Sequence, residues 1–267
     1  MTCTVLVTSC DAYEDIETPF IQLWRKFWPD CPFETVLLTE SERAFPEGGV
    51  RFDRVITTGR GKTWCEMLDE ALGRITTPYV LLLMNDYFLH APVDTGRFRL
   101  RLEQAQRFHT ANLRLHPNPP GRAAWPESDL LEYPKNQAYC VTCQTGIWNR
   151  DFLRGLARRN KSAWEFERRG SFMLAEERRP LLVTREKEFP FIDAVHKGYW
   201  EEEGLRVMRL NGVTADLTRR GRPPFAVRVS EGVKKAVFAL FPWTLIVRVQ
   251  NALDVGMKEK RTKDADV

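Results

Sequence analysis

Residues 79–90 read Tyr79-Val-Leu-Leu-Leu-Met-Asn-Asp-Tyr-Phe-Leu-His90: an apolar run that stops at Asn85-Asp86 and resumes through Tyr87-Phe88-Leu89. An apolar stretch without alternation suits a strand covered on both faces, as in a parallel sheet with helices above and below. Pro78 marks its start. Open α/β sheets bind ligands outside the carboxyl ends of their strands, which places Asp86 where a ligand or metal is expected. A solvated Asp in an ordinary strand-to-loop turn is the competing reading.

At 267 residues and 31.1 kDa the chain is long enough to bury a substantial core, as one α/β domain or one domain with appendages. A hydrophobic share of 43% and a charged share of 28% exclude global disorder. The net charge of +4 is only mildly basic, and most Lys and Arg residues are mixed with acids. That balance favours an anionic small molecule or a membrane surface over a nucleic-acid partner. Cys3, Cys10, Cys31, Cys65, Cys140 and Cys143 lie mostly among apolar residues and read as reduced and cytosolic. Cys140-Val-Thr-Cys143 is a single CxxC, better read as two inward strand cysteines than as a zinc or redox site. No basic region followed by a long apolar core opens the chain, so export is not expected.

Upstream, Thr4–Thr8 reads as a first strand running into Ser9-Cys10-Asp11-Ala12-Tyr13, a polar turn with another carboxylate at a strand end. Pro19 opens a helix whose Phe20, Ile21, Trp24, Phe27 and Trp28 recur at core spacing. Thr35–Thr39 and Phe52–Ile56 are further strands, followed by the basic turn Gly59-Arg60-Gly61-Lys62. Gly61-Lys62-Thr63 is not a P-loop, because Ile56 stands where that pattern needs glycine. Thr63 and Glu66 form a capping box, and Arg60 and Lys62 beside that helix start are placed to face an anion. A solvated turn is the alternative.

Downstream, Asp94 or Thr95 caps a helix to about His109, and a short strand follows over Ala111–Leu115. Residues 118–126 read as a long loop, Tyr139–Thr145 as extended, Gly146–Asn149 as a turn and Arg150–Arg158 as a helix. Ser162 and Glu165 suit a helix start on which Trp164 and Glu167, three apart, share a face. An aromatic plate beside a carboxylate suits sugar binding; a core Trp with two solvated acids competes with it. Leu181–Thr184 is strand-like, and Phe189–Trp200 is an aromatic stretch carrying Asp193, His196 and Lys197. Leu205–Leu210 is expected to close the sheet edge as a strand. Arg219–Pro224 reads as a basic hinge, and Val233–Val255 as an amphipathic segment that either lies on anionic lipid or packs on the domain. Residues 258–267 are expected to be disordered.

Taken in order, TSCDAYED (8–15) with the Trp-rich helix and WPDCPF (28–33), TPYVLLLMNDYFL (77–89), QTGIWNRDFL (144–153), SAWEFE (162–167) and FPFIDAVHKGYW (189–200) resemble a family of bacterial glycosyltransferases. These are encoded with capsule or lipopolysaccharide genes and have the GT-A nucleotide-sugar fold. The resemblance covers roughly residues 4–210. It implies a GT-A-like (Rossmann-like), mostly parallel sheet flanked by helices, a domain expected over 1–218, to which the residues add a basic hinge and a helical, amphipathic segment over 219–257 that either associates with a membrane or packs on the domain. It also implies sugar transfer from a nucleoside diphosphate donor to a glycan or lipid-linked acceptor, on the cytoplasmic face of the membrane.

By the same carry-over, Ser9, Asp11, Tyr13, Arg60, Lys62, Asn85 and Asp86 form the donor site, with Asp11 on the base or ribose and Asp86 on a divalent ion or the ribose. Members of the family usually present Asp-x-Asp; Met84-Asn85-Asp86 matches only the final carboxylate. Mn²⁺ or Mg²⁺ then relies on Asp86, the donor phosphates and His196, or is replaced by Arg60, Lys62 or Lys197 on the leaving diphosphate. Glu167 is the expected general base for an inverting reaction, with Glu165 in reserve; a retaining reaction needs neither. Tyr13, Trp125 and Trp164 are expected platforms for a sugar or base. A sugar nucleotidyltransferase and a non-catalytic adaptor of a polysaccharide assembly are the alternatives, although Ser9–Tyr13 lacks the Gly-rich loop of the former.

Overall fold

A computed structural model describes residues 2–224 apart from 46–48, 119, 134, 136–139, 175–176 and 215. Chain order runs β1 (Cys3–Thr8), a 3₁₀ turn (Asp11–Ile16), α1 (Glu17–Phe27), β2 (Thr35–Thr39), β3 (Arg54–Thr57), α2 (Trp64–Arg74), β4 (Tyr79–Met84), β5 (Tyr87–Leu89) and α3 (Thr95–Arg107). It continues through β6 (Asn112–Arg114), β7 (Ala123–Ala124), β8 (Leu131–Glu132), β9 (Gly146–Asn149), α4 (Arg150–Ala157), α5 (Ala163–Phe172) and β10 (Leu181–Val183). Last come β11 (Phe191–Asp193), β12 (Val195–His196), β13 (Tyr199–Trp200) and α6 (Glu202–Leu210). The amphipathic segment and charged end expected beyond residue 232 lie outside the described residues.

The fold is mixed α/β, with a large sheet in the order β3-β2-β1-β4-β9-β6-β10-β8-β7 and helices against both faces. Strands β3, β2, β1 and β4 are parallel, and β9 runs antiparallel between β4 and β6. Successive strand residues point to opposite faces. Val5, Val7, Leu81 and Leu83 therefore pack on one core with Phe20, Trp24 and Trp28, while Leu6, Val80 and Leu82 pack on the other with Leu68, Trp148 and Phe166. This is why residues 79–84 read as unbroken apolar. The aromatic spacing on α1 is core spacing: Trp28 meets Trp24 and Phe98 at ring distances of 5.1 Å, and its indole N–H donates to Thr95 Oγ1 at 2.8 Å. Full burial of a side chain this large stabilises by about 2–3 kcal/mol.

Three local expectations change. Residues 146–149 form β9 rather than a turn, and a Cβ on Gly146 would meet Asn112 Nδ2 at 2.9 Å, so glycine there lets β9 lie against β6. The residues just before β9, read as extended, form no strand among those described. Leu205–Leu210 belongs to helix α6, whose buried Gly204, Val207 and Met208 follow helical spacing rather than alternation. Strand β11 pairs with β5, and β12 with β13 through the turn Lys197-Gly198, with φ of 51° and 82°. Two successive positive φ values suit a two-residue hairpin. Among the described residues no helix is long and apolar enough to cross a membrane.

Candidate functional site

The carboxyl ends of β1, β2, β3 and β4 share one edge, with Thr8 beside Leu38 and Met84, and Thr39 beside Thr57. Because β9 is antiparallel and Gly146 faces Leu82, the residues before it, Thr142–Thr145, reach the same edge. The turns leaving these strands hold most of the residues singled out from the sequence.

At the end of β4, Asn85 is 3% exposed, and its side-chain amide donates to Ser9 Oγ at 2.8 Å and to the Tyr13 carbonyl at 3.1 Å. Asn85 is thus a tie between two turns, where donor contact was expected. The Asp86 carbonyl accepts from Ala194 N–H at 2.8 Å, which brings Asp193 of β11 alongside. Asp86 Oδ1 is buried and has no hydrogen-bond partner among the described residues. Burial first, and the neighbouring Asp193 carboxylate second, push the Asp86 carboxyl up to about 7. A buried carboxylate oxygen left without a donor, beside a second carboxylate, is a donor set that fits a hard divalent cation. His196 stands exposed on β12, and no three His, Cys, Asp or Glu side chains among the described residues form a metal-holding group. Any such ion would take its remaining ligands from phosphate and water.

Asp11 sits at the end of β1 inside a network. It accepts from Ser41 Oγ at 2.7 Å, Arg60 Nε at 2.8 Å and Arg43 Nη1 at 3.1 Å. The Ser41 bond foremost, with Arg60 and Arg43 adding to it, holds its carboxyl down at about 2. Its backbone N–H donates to Glu40 Oε2 at 2.8 Å. Beneath lies Glu17, 2% exposed, accepting from Ser9 Oγ at 2.5 Å and Arg43 Nε at 2.8 Å, with burial pushing its carboxyl up. Glu17, Glu40, Ser41 and Arg43 were not singled out from the sequence. Glu17 carries the only legible signal, an acid in the first turn of α1, which reads simply as a partner for the helix dipole. Arg60 is 77% exposed and reaches the site through Asp11, whereas the Lys62 ammonium pairs with Glu70 on α2.

Tyr13 lies under the Arg220 guanidinium, 4.1 Å from the ring centroid, and its hydroxyl is pushed up by burial and then by Asp86. The Tyr87 hydroxyl is pushed well above its ordinary value by burial, then by Asp86, Asp193, Cys143 and Glu167, so these groups converge on one region. Glu167 is held there by Thr142 Oγ1 and Cys143 N–H, each donating to Oε1 at 2.8 Å. Cys140 and Cys143 are buried.

Glu165 is used otherwise. Its carboxylate accepts Lys161 N–H at 2.9 Å while its own N–H donates to the Ser162 cap at 3.2 Å, so it closes the start of α5. Trp164 is 70% exposed, which removes the core reading and leaves an open aromatic face one helical turn from Glu167. Trp125 is not brought to the site. It packs on Phe108 at 5.9 Å and follows the edge strand β7, which four strands separate from β4.

No protein-family model and no curated protein matches the chain. Among solved structures it is similar to residues 1–349 of S. aureus TarS, at 18% identity and TM-score 0.47, covering 81% of this chain and 67% of that one. It spans 40% of a longer TarS chain. It is also similar to a nucleotidyl transferase from Methanothermobacter thermautotroptrophicus, at 12% identity and TM-score 0.48, covering 79% of this chain and 97% of that one. A cytidylyltransferase from Leptospira borgpetersenii serovar Hardjo-bovis aligns at 12% identity and TM-score 0.43, covering 79% and 95%. TarS residues 1–349 have been solved with UDP-GlcNAc and with UDP.

Proposed function

We propose that the chain is a GT-A-type, nucleotide-sugar-dependent glycosyltransferase that extends a cell-surface glycan of the lipopolysaccharide or capsule kind from the cytoplasmic side of the membrane. The observation that carries this reading is Asp86: a buried carboxylate oxygen without a donor, at the carboxyl end of the central parallel strand, facing a region shared with Asp193 and Glu167. A nucleoside diphosphate with Mn²⁺ or Mg²⁺ would bring a cation to the buried Asp86 oxygen and phosphate oxygens to fill that cation's remaining positions. The ion, when bound, stabilises charge on the departing diphosphate. Asp11 and the Tyr13 ring take the nucleoside end, and Asp86 and Asp193 the diphosphate end.

For transfer, the acceptor hydroxyl attacks the anomeric carbon as its bond to the β-phosphate oxygen breaks. The bonding pair leaves with the diphosphate, and the hydroxyl proton passes to Glu167. Thr142 Oγ1 and Cys143 N–H fix one oxygen of Glu167, and Trp164 offers the acceptor sugar a flat face. The 3₁₀ turn after β1 has no glycine, which argues against the phosphate loop of a nucleotidyltransferase.

Thermal unfolding with UDP, CDP or GDP at millimolar concentration, with and without Mn²⁺, tests the reading, since a ligand of the native state must raise the midpoint. A rise with one diphosphate, larger with Mn²⁺, is expected. No rise with any of them would favour the adaptor reading.

A further inference from the structure

The stretch Asp216–Arg222, which overlaps the hinge expected over Arg219–Pro224, lies across the turn that follows β1. Arg220 is 6% exposed and grips Asp15 with a fork, Nε to Oδ2 at 2.7 Å and Nη2 to Oδ1 at 2.9 Å. The same Nη2 donates to the Ala12 carbonyl, and Nη1 to the Gly198 carbonyl at 3.4 Å, while the guanidinium plane covers Tyr13. Arg219 Nη2 donates to the Asp11 carbonyl at 2.9 Å. The stretch is itself held by Trp200, whose N–H donates to the Gly221 carbonyl at 3.2 Å and whose indole donates to Asp216 O at 3.4 Å.

The turn needs such a tie. It consists of two short 3₁₀ turns that meet at Tyr13, where φ is −117° and ψ 16°, and no side chain caps its start. Short 3₁₀ turns of this kind hold their hydrogen bonds in poor alignment. Arg220 also has little left for a ligand: Nε and both Nη2 hydrogens are engaged by Asp15 and Ala12, and Nη1 faces Gly198. Its work is therefore on the loop.

We infer that residues 216–222 form a strap that holds the Asp11–Ile16 turn in its donor-binding shape, with Arg220 as the positioning residue that fixes the Tyr13 ring and, through Arg219 and the loop, Asp11. This rests on the reading that this sheet edge takes a nucleoside diphosphate. Lysine is no substitute, since an ammonium covers an aromatic ring but cannot make the planar fork to Asp15.

The test uses the full chain as wild type, Arg220→Met, Arg220→Lys and the milder Asp15→Asn. Amide hydrogen exchange without ligand is read over residues 11–17, with 3–8 and 79–84 as the core reference, and UDP, CDP and GDP are titrated calorimetrically. Exchange over 11–17 should rise at least about tenfold in all three variants while the core reference stays protected. Affinity for the diphosphate that binds wild type should fall at least about tenfold, with Arg220→Lys no better than Arg220→Met, and donor turnover should fall through KM more than kcat. Unchanged exchange in both Arg220→Met and Asp15→Asn would overturn the strap, as would a loosened turn that still binds within about twofold of wild type. If wild type binds none of the three diphosphates, the proposed function fails, and the exchange data alone decide the strap.

Discussion

The Asn85 side-chain amide donates to Ser9 Oγ at 2.8 Å, and Ser9 Oγ in turn donates to Glu17 at 2.5 Å. Asn85, the middle residue of Met84-Asn85-Asp86, is therefore a buried link between the ends of β4 and β1. Asn85→Asp should not rebuild a metal site. It would exchange a donor for a second carboxylate near Glu17, at a cost of about 1–3 kcal/mol in urea unfolding, without strengthening Mn²⁺ binding.

Asp86→Asn separates stability from chemistry. Because burial and Asp193 raise its folded-state value to about 7, the folded chain keeps a proton that the unfolded chain has lost between about pH 4 and 7. Stability contributed at this site falls as pH rises through that window. The variant should unfold at higher urea than wild type at pH 8, converge with it near pH 4, and lose donor hydrolysis at every pH.

Asp11 has the opposite sign. Its value is lowered to about 2, so its contribution is present above about pH 4 and fades as pH falls toward 2. Asp11→Asn should cost no more than about 1 kcal/mol at pH 7, given how exposed Arg60 is, and the difference should shrink in acid unfolding curves.

Glu167→Gln keeps a carbonyl oxygen for Thr142 and Cys143 N–H but removes the base. Transfer should drop by about 10²-fold or more, with diphosphate affinity within about twofold of wild type in calorimetry. Transfer at near-wild-type rates would remove Glu167 from that role.

The two tryptophans should part company. Trp164→Ala, on a side chain 70% exposed, should leave stability within about 0.5 kcal/mol and raise the acceptor KM. Trp125→Ala should cost about 1–3 kcal/mol through lost packing on Phe108 and leave the acceptor KM unchanged.

Strand periodicity located β1, β2 and β4, because residues buried on both faces leave an unmistakable apolar run, and it placed Asp11 and Asp86 at one edge for the same reason. It misread α6, since Leu205–Leu210 is too short for period 2 and period 3.6 to separate. It also missed β9, whose glycine start imitates a turn. The pairing of β5 with β11, which brings Asp193 to Asp86, joins residues about a hundred positions apart and leaves no local trace. Arg43 and Arg220 were hidden for a related reason: in a chain with 40 Lys and Arg residues, a buried guanidinium looks like any other until its partners are placed.

Release of nucleoside diphosphate from a panel of UDP-, CDP- and GDP-sugars, by wild type and Asp86→Asn side by side, tests the central claim most directly. The account predicts that wild type hydrolyses at least one donor slowly without acceptor, and that Asp86→Asn is slower by about 10²-fold or more while remaining folded. Equal release by the two proteins, or release from no donor, would contradict it.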